Sequence, residues 1–340
     1  MLNEAAHVDG LVSDLASQDF AGDVEVFVAD GGSTDGSVEV LTRAADASGL
    51  ALEVVPNPAG WVSHGLNACI ARATGDLIVR LDCHSRYPSD YLRRCALAAE
   101  ETDALAVGGI VVPHGRTPFE RAVACAMDSP FGGIGWMRGT SRAIRRDSDI
   151  LTYGAFRPET FALVGTFDET LRRNQDDDFT FRIRRSGGRV VLDSTIQVHY
   201  TPRASYRALL RQYSEYGLWK VAVMRKHRRM LSVRSLVPPL FVGSLAILAP
   251  AALVLGAARI ALVAELGLYV GAAVAFGALS LRRRRERWRL LPQVVAVYAA
   301  FHVGYGLGAL YGTAKAAASS VVGRTASACA SPSTADDSAP

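Results

Sequence analysis

The chain predicts an α/β protein, a mostly parallel sheet covered by helices on both faces, continued by transmembrane helices. Three observations carry this reading. Between Val24 and Val112, short apolar runs alternate with helix-like segments. Acid-rich polar loops follow the apolar runs, and residues 236–316 consist mostly of Ala, Leu, Val and Gly. Repeated strand–helix–strand units produce a layered α/β sheet, and such sheets bind ligands beyond the carboxyl ends of their strands.

Taken in order, Val24–Ala29 (VEVFVA) reads as a buried strand that runs into the loop D-G-G-S-T-D-G-S, with Val38–Ala45 as the helix after it. Leu52–Val55 is a second strand and His64–Ala73 a second helix. Leu77–Leu81 (LIVRL) is a third strand, Tyr91–Glu101 a third helix and Leu105–Val112 a fourth strand. Further on, Asn174–Asp178 opens an amphipathic segment, Phe179–Arg185; Gly187 and Gly188 end it, and Arg189–Leu192 returns as a strand. Residues 204–230 form a basic, aromatic-rich helical stretch, which either lies on a bilayer surface or packs on the core. Leu236–Gly256 and Ile260–Leu281 each approach the ~20 residues a spanning helix needs. Leu290–Ala314 is a third candidate, weakened by Pro292, His302 and its glycines.

A net charge of only +4 gives no global field for nucleic acid. The positive charge is local, at Arg225–Arg229 and Arg282–Arg289, and both clusters flank apolar segments. Read as a hairpin, Leu236–Leu281 puts the two clusters on one side, which the positive-inside rule makes cytoplasmic. The 5 cysteines are scattered without a C-x-x-C pair, so neither a disulfide framework nor a zinc site is expected. The opening MLNEAAHVDG lacks the basic flank and apolar core of a signal peptide, so the amino-terminal part is expected in the cytoplasm.

Three acidic clusters sit where ligand chemistry belongs. Asp30 and Asp35 are short carboxylates on a glycine loop, suited to accept from a base N–H or a ribose hydroxyl; taken alone, the same residues make a plain turn. Asp82-Cys83-His84 offers a carboxylate and an imidazole two residues apart. Such a pair suits Mg²⁺ or Mn²⁺ against phosphate oxygens, the histidine tilting the choice to Mn²⁺. Alone, a D-x-H reads better as a solvated loop. Asp176-Asp177-Asp178 crowds three charges at a helix start, which serves a general base, and is also what an ordinary acidic helix terminus looks like.

Together the motifs carry a resemblance. Asn3-Glu4, Val28–Gly36, Gly65–Asn67, Gly75–Tyr87, Arg173–Arg182 and Gln212–Lys220 resemble family 2 glycosyltransferases, in particular the membrane-anchored exopolysaccharide, or succinoglycan-type, branch. The resemblance implies a GT-A fold, a Rossmann-like mixed sheet, and an inverting transfer from a nucleotide-diphosphate sugar to a polyprenyl-linked or saccharide acceptor. Carried over by position, Glu4, Asp30 and Asp35 would contact the nucleoside. Asp82 and His84 would hold Mg²⁺ or Mn²⁺, with Asp82 also serving the diphosphate. Asp176 would be the acceptor base, with Asp177 the second candidate, and Gln212 and Trp219 would lie near the diphosphate or the acceptor. A UDP-sugar is the donor that the family suggests. Three departures stand out: Gln175 replaces the usual Glu of the base motif, Tyr216-Gly217 falls where the Arg of a Q-x-x-R-W element belongs, and the chain opens at N-E, before which relatives carry an apolar strand. An upstream strand is therefore expected.

The expected organisation is a catalytic domain over residues 1–203, an interface helix region over 204–235, two to three membrane helices over 236–316 and a disordered tail over 317–340. The expected location is the inner membrane, in contact with its lipids, with the catalytic domain cytoplasmic and no nucleic-acid partner. A rival reading is a degenerate, membrane-anchored nucleotide-sugar binding or scaffold protein. A dinucleotide oxidoreductase is disfavoured because no G-x-G-x-x-G follows a strand. Trp61, Phe131 and Trp136 are expected in core or acceptor-loop packing, and His199 and His302 as structural histidines. The loop Gly132–Gly139, with Arg138, either shapes an acceptor pocket or connects elements.

Overall fold

The computed structural model describes residues 1–132, 143–229 and 233–329. Trp136, Arg138 and the tail from residue 330 lie outside the described residues. The chain divides into two compact units: Met1–Leu209 with Val263–Phe301, and Leu210–Leu262 with His302–Pro340.

In the first unit the order is α1 (Ala5–Ala16), β1 (Phe27–Asp30), α2 (Ser37–Ser48), β2 (Glu53–Pro56), α3 (Val62–Ile70), β3 (Ile78–Val79) and β4 (Ser85–Arg86). It continues through α4 (Tyr91–Thr102), β5 (Ala106–Pro113), α5 (Pro118–Met127), β6 (Arg145–Asp147), β7 (Gly154–Phe156), α6 (Pro158–Val164), α7 (Gln175–Arg185) and β8 (Val190–Tyr200). Then come α8 (Tyr206–His227), α9 (Val237–Ala251), α10 (Gly256–Arg284) and α11 (Leu291–Cys329).

The sheet is mixed rather than mostly parallel. β1 and β2 form a parallel pair, Phe27 opposite Glu53 through Asp30 opposite Pro56. A second sheet runs β3-β7-β5-β8-β4, with β6 also on β8; within it only β5 and β8 are parallel. Strands β4, β6 and β7 are too short to show a period in sequence. The expected strand Leu77–Leu81 narrows to two residues because its partner β7 has only three, after which the Arg80 N–H closes the ladder on Gly154 O at 2.9 Å. On the edge of β1 away from β2, the Met1 amino group donates to Ala29 O, and the Gly31 N–H donates back to Met1 O at 2.9 Å.

The β5–β8 ladder shifts register between Gly108 and Ile110, and there the strands come close enough that a Cβ on Gly109 would lie 1.9 Å from Ile196 O. Around this ladder the core buries Tyr87, Tyr91, Cys95, Val107, Ala155, Val191 and Ile196. A second cluster packs Phe156, Phe167 and Phe179 beneath α7, with the Phe167 and Phe179 centroids 4.5 Å apart. Each such ring contributes about 1.5–3 kcal/mol by burial alone.

Helix α5 begins with a capping box: Thr117 accepts from the Glu120 N–H at 3.2 Å while Glu120 Oε2 accepts from the Thr117 N–H at 3.1 Å. The helix is apolar and buried from Ala122 to Met127 because it lies along the end of α10. The Ser280 hydroxyl donates to Cys125 O, Arg284 pairs with Asp128 and donates to Pro113 O at 2.9 Å, and Arg121 pairs with Glu286. Phe131 packs among Tyr269, Phe276 and Tyr298, stacked on Phe276 at 5.5 Å.

Among the described residues, three helical segments are long and apolar enough to cross a membrane: Val233–Ala251, Gly256–Arg284 and Trp288–Ala318. The glycines that weaken the third as a plain anchor are where it packs within the second unit. Gly304, Gly308 and Gly312 face α8, and a Cβ on Gly308 would lie 1.9 Å from Ser214 O. Gly217 of α8 stands the same way, 2.1 Å from Tyr305 O, and Gly306 meets α9 at Pro238 O, 2.7 Å away. Small residues at such spacing let helix backbones approach closely. Beyond Ala316, α11 continues to Cys329. The stretch 317–329, expected as the start of a disordered tail, is helical instead, in keeping with its Ala-rich sequence.

Gly308→Ala is therefore expected to destabilise the protein by about 1–3 kcal/mol through overpacking. Gly271→Ala, on α10 where no atom stands within 4 Å, should be neutral or stabilising. Thermal unfolding in detergent separates the two, and equal midpoints would contradict this packing.

Candidate active site

The acidic clusters at the carboxyl ends of β1 and β3 and at the start of α7 all fall in the first unit. After β1, the loop 30–36 is built around its own carboxylates. Asp30 accepts from the N–H groups of Gly32 at 3.0 Å and Ser33 at 3.1 Å, and from the Ser33 hydroxyl at 2.6 Å. Asp35 accepts from the N–H groups of Ala5 and Ser37, both at 3.1 Å, and from the Ser37 hydroxyl. Gly32 and Gly36 hold φ of +85° and +82°, where only glycine sits without strain. The Asn3-Glu4 dipeptide locks onto this loop: the Asn3 N–H donates to Ser33 Oγ at 2.9 Å, the Thr34 N–H to Asn3 Oδ1 at 2.9 Å, and the Glu4 N–H to Ser37 Oγ at 2.8 Å.

These bonds set the electrostatics. For Asp30, burial pushes the carboxyl up, and the Ser33 hydroxyl with the loop N–H groups more than reverses it, so the value lies below the ordinary one. The Ser37 hydroxyl holds Asp35 down in the same way. Glu4 turns its carboxylate to His84, 3.7 Å from Nδ1, and that imidazole is the main cause of its lowered value.

The Asp82-Cys83-His84 turn rests on a polar floor. The Asp82 N–H donates to Tyr87 Oη at 2.7 Å and the Ser85 N–H to Asp82 O at 3.1 Å, while Ser85 Oγ and Tyr153 Oη share a bond of 3.0 Å. β4 carries the turn, pairing Ser85 with Tyr200 and Arg86 with His199 at the end of β8. Beneath it lies Arg80, its side chain only 8% exposed, with Nε 3.4 Å and Nη2 3.3 Å from Asp82 Oδ1. Burial alone would lower the Arg80 value; the charges of Asp82 and Asp176 reverse that and raise it. One guanidinium thus feels both carboxylates. Burial pushes the Cys83 thiol up to about 11, so it is not a thiolate at neutral pH.

The three consecutive aspartates separate. Asp178 is fully buried in an ion pair with Arg182 at 2.9 Å and is structural. Asp177 Oδ2 accepts from the Asn174 amide at 2.7 Å. Asp176 is half-buried, receives the Asp177 N–H at 3.0 Å and adds to the field at Arg80. Gln175, in place of the usual Glu, is buried.

Two features escaped sequence reasoning. Arg80 is one, although a lone charge in the apolar run L-I-V-R-L was its signal. The other is the role of Asn67, whose side chain donates to Phe167 O at 2.8 Å and accepts the Phe167 N–H at 2.9 Å. With Ser63 Oγ donating to Leu171 O at 3.1 Å, it ties α3 to the segment that leads into α7. Trp61, expected in packing, is 39% exposed and lies under the Arg172 guanidinium at 3.9 Å. His199 bonds His114 at 2.7 Å. Gln212 and Trp219 lie on α8 in the second unit, where the Gln212 amide donates to Tyr216 Oη at 2.9 Å.

Among the described residues no group of three or more His, Cys, Asp or Glu side chains is arranged to hold a metal ion. Asp82 and His84 supply two donors, an oxygen and a nitrogen. That set fits a divalent cation whose other positions are filled by phosphate oxygens and water, and does not fit an all-protein cage.

The family model described as Glycosyl transferase family 2 matches residues 1–155. The chain is 30% identical over 309 residues to the succinoglycan biosynthesis protein ExoA of Rhizobium meliloti (strain 1021), covering 90% of this chain and 91% of that protein. Among solved structures, the mannosyltransferase PcManGT from Pyrobaculum calidifontis, in complex with GDP-Man and Mn²⁺, superposes with a TM-score of 0.60. That match has 21% identity and covers 88% of this chain and 84% of the other, so it speaks to the fold, a GT-A mixed sheet.

The lowered carboxylates fix the sign of a pH effect. Their stabilising contribution is present above the ordinary values of 4.5 for Glu4 and 3.8 for Asp30 and Asp35, and is lost as pH falls through the lower folded values. The thermal midpoint should hold from about pH 7 to 5 and then fall. A Ser33→Ala, Ser37→Ala double variant should start lower at neutral pH and lose less on acidification. Parallel profiles for the two proteins would contradict the assignment.

Proposed function

The chain belongs to glycosyl transferase family 2, and from that premise we propose that it transfers a sugar from a nucleotide-diphosphate donor, with inversion, to a lipid-linked or saccharide acceptor in exopolysaccharide synthesis. That the chain is a glycosyltransferase is plain from the family and from a close relative that spans nearly its whole length. The observation that supports the finer reading is the Asp82-Cys83-His84 turn, its carboxylate set over the buried Arg80 guanidinium just past a strand end, where such folds bind their ligands.

In this reading the loop 30–36 and Glu4 receive the nucleoside, a uridine by family habit, through carboxylate oxygens and approachable backbone. Asp82 and His84 hold the divalent cation, Mg²⁺ or Mn²⁺, which when bound offsets the negative charge of the departing diphosphate. The two donors present are consistent with that role. Asp176 takes the proton from the acceptor hydroxyl as that oxygen attacks the anomeric carbon. The bond to the diphosphate oxygen breaks on the opposite face, its electron pair leaves with the nucleoside diphosphate, and configuration inverts.

The three apolar helices and the exopolysaccharide role of the ExoA relative support an inner-membrane enzyme. Arg225–Arg229 and Arg282–Arg289 support a cytoplasmic catalytic half.

Asp82→Ala and Asp176→Ala are each expected to lower transfer from a nucleotide sugar at least about a hundredfold in membranes supplied with Mg²⁺ or Mn²⁺. Full activity in either would refute the assignment. A reporter fused after Arg289 should read cytoplasm, and a periplasmic signal would overturn the topology.

A further inference from the structure

Arg80 is absent from the donor, metal and base roles, yet it occupies the middle of the site. Its guanidinium is nine-tenths buried, and Nη1 has no hydrogen-bond partner among the described residues. A buried donor left without a partner is costly, so its retention calls for a reason. Nor is the group locked to its carboxylate. The contacts to Asp82, 3.3 and 3.4 Å to Oδ1 and 3.5 Å to Oδ2, exceed the ~2.7–2.9 Å of a tight charge-assisted pair. By contrast Arg86 grips the buried Asp14 at 2.6 and 2.7 Å, and Arg182 holds Asp178 at 2.9 Å. Those two pairs are structural. The Arg80 pair is loose, and its carboxylate belongs to a turn whose backbone is held independently by Tyr87 and Ser85.

A loose buried pair is what a displaceable counter-ion looks like. With Arg80 present, Asp82 rests against a positive charge before any ligand arrives. A divalent cation on Asp82 and His84 must then compete with the guanidinium for Asp82 oxygens and bear its repulsion. We propose that Arg80 is a positioning residue that holds Asp82 in place before ligand binds and yields it to the divalent cation, keeping that cation's affinity low until a diphosphate arrives. The inference rests on the metal-dependent transfer proposed above. It also accounts for the unpartnered Nη1: a guanidinium bonded at full strength on all sides would not give up its carboxylate.

The test uses the full-length protein in detergent, with Mn²⁺ binding read directly by the paramagnetic signal of the free ion, and turnover in parallel. Arg80→Gln removes the charge; Arg80→Lys keeps the charge and loses the fork. Without donor, Arg80→Gln should bind Mn²⁺ about tenfold more tightly than wild type, because the competitor is gone. Its turnover at saturating Mn²⁺ should fall at least about tenfold, with the donor KM within about threefold. Arg80→Lys should keep the wild-type Mn²⁺ affinity and lose turnover partially. A residue that merely supports the fold would weaken Mn²⁺ binding when removed. Unchanged or weaker Mn²⁺ binding in Arg80→Gln, or wild-type turnover, overturns the proposal while an inactive Asp82→Ala leaves the transferase reading standing. A fully active Asp82→Ala overturns both.

Discussion

Strand β8 is the constraint on which the catalytic half depends. Its first residues are flanked by β5 on one side and β6 on the other, and its last residues by β5 and β4. The change of partner is made at a bulge, where Gly109 has no room for a side chain against Ile196. Because side-chain direction alternates along a strand, that one irregular step decides which face each later residue presents. The end of β8 fixes β4, and β4 carries the Asp82-Cys83-His84 turn. The position of a candidate metal ligand thus follows from the packing of a glycine two strands away.

Charge inside the first unit is handled in two ways. Asp14 with Arg86 and Asp178 with Arg182 are tight pairs that further bond backbone: the Tyr87 N–H to Asp14, and Arg182 to the carbonyls of Val164 and Thr166. In each, removing the arginine would leave a buried carboxylate without its counter-charge, at a large desolvation cost. Around Arg80 the same chemistry is relaxed. Asp30 and Asp35 spend their hydrogen-bonding capacity on nearby N–H and hydroxyl groups, so the loop they shape is set before ligand binds, which spares ordering at the moment of association.

Much of this was legible in the residues. The periodic segments behind β1, α2, β2, α3, α4 and β5 gave their type and approximate place, because local pattern and tertiary burial agree there. The family was legible because six separated motifs point the same way. What local pattern does not carry is contact between distant segments. Strands of two or three residues have no period, and β3 shrank because β7 is short. Asn67 looks like any polar helix residue until Phe167 is set against it. The glycines of α11 read as helix weakeners, since nothing in that segment announces that α8 lies alongside. Arg80 stood visible in an apolar strand, but only the fold shows its guanidinium buried beneath the Asp82 carboxylate.

One consequence follows from the length of α10. Its 29 residues span about 43 Å, against a hydrocarbon layer of about 30 Å. The surplus end is fastened to α5 through Ser280, Arg284 and, just beyond, Glu286. A spanning helix meets a thinner bilayer by leaning. In a bilayer that α10 crossed, a lean would carry α5 with it through these bonds, and lipid thickness would reach the first unit as a mechanical load.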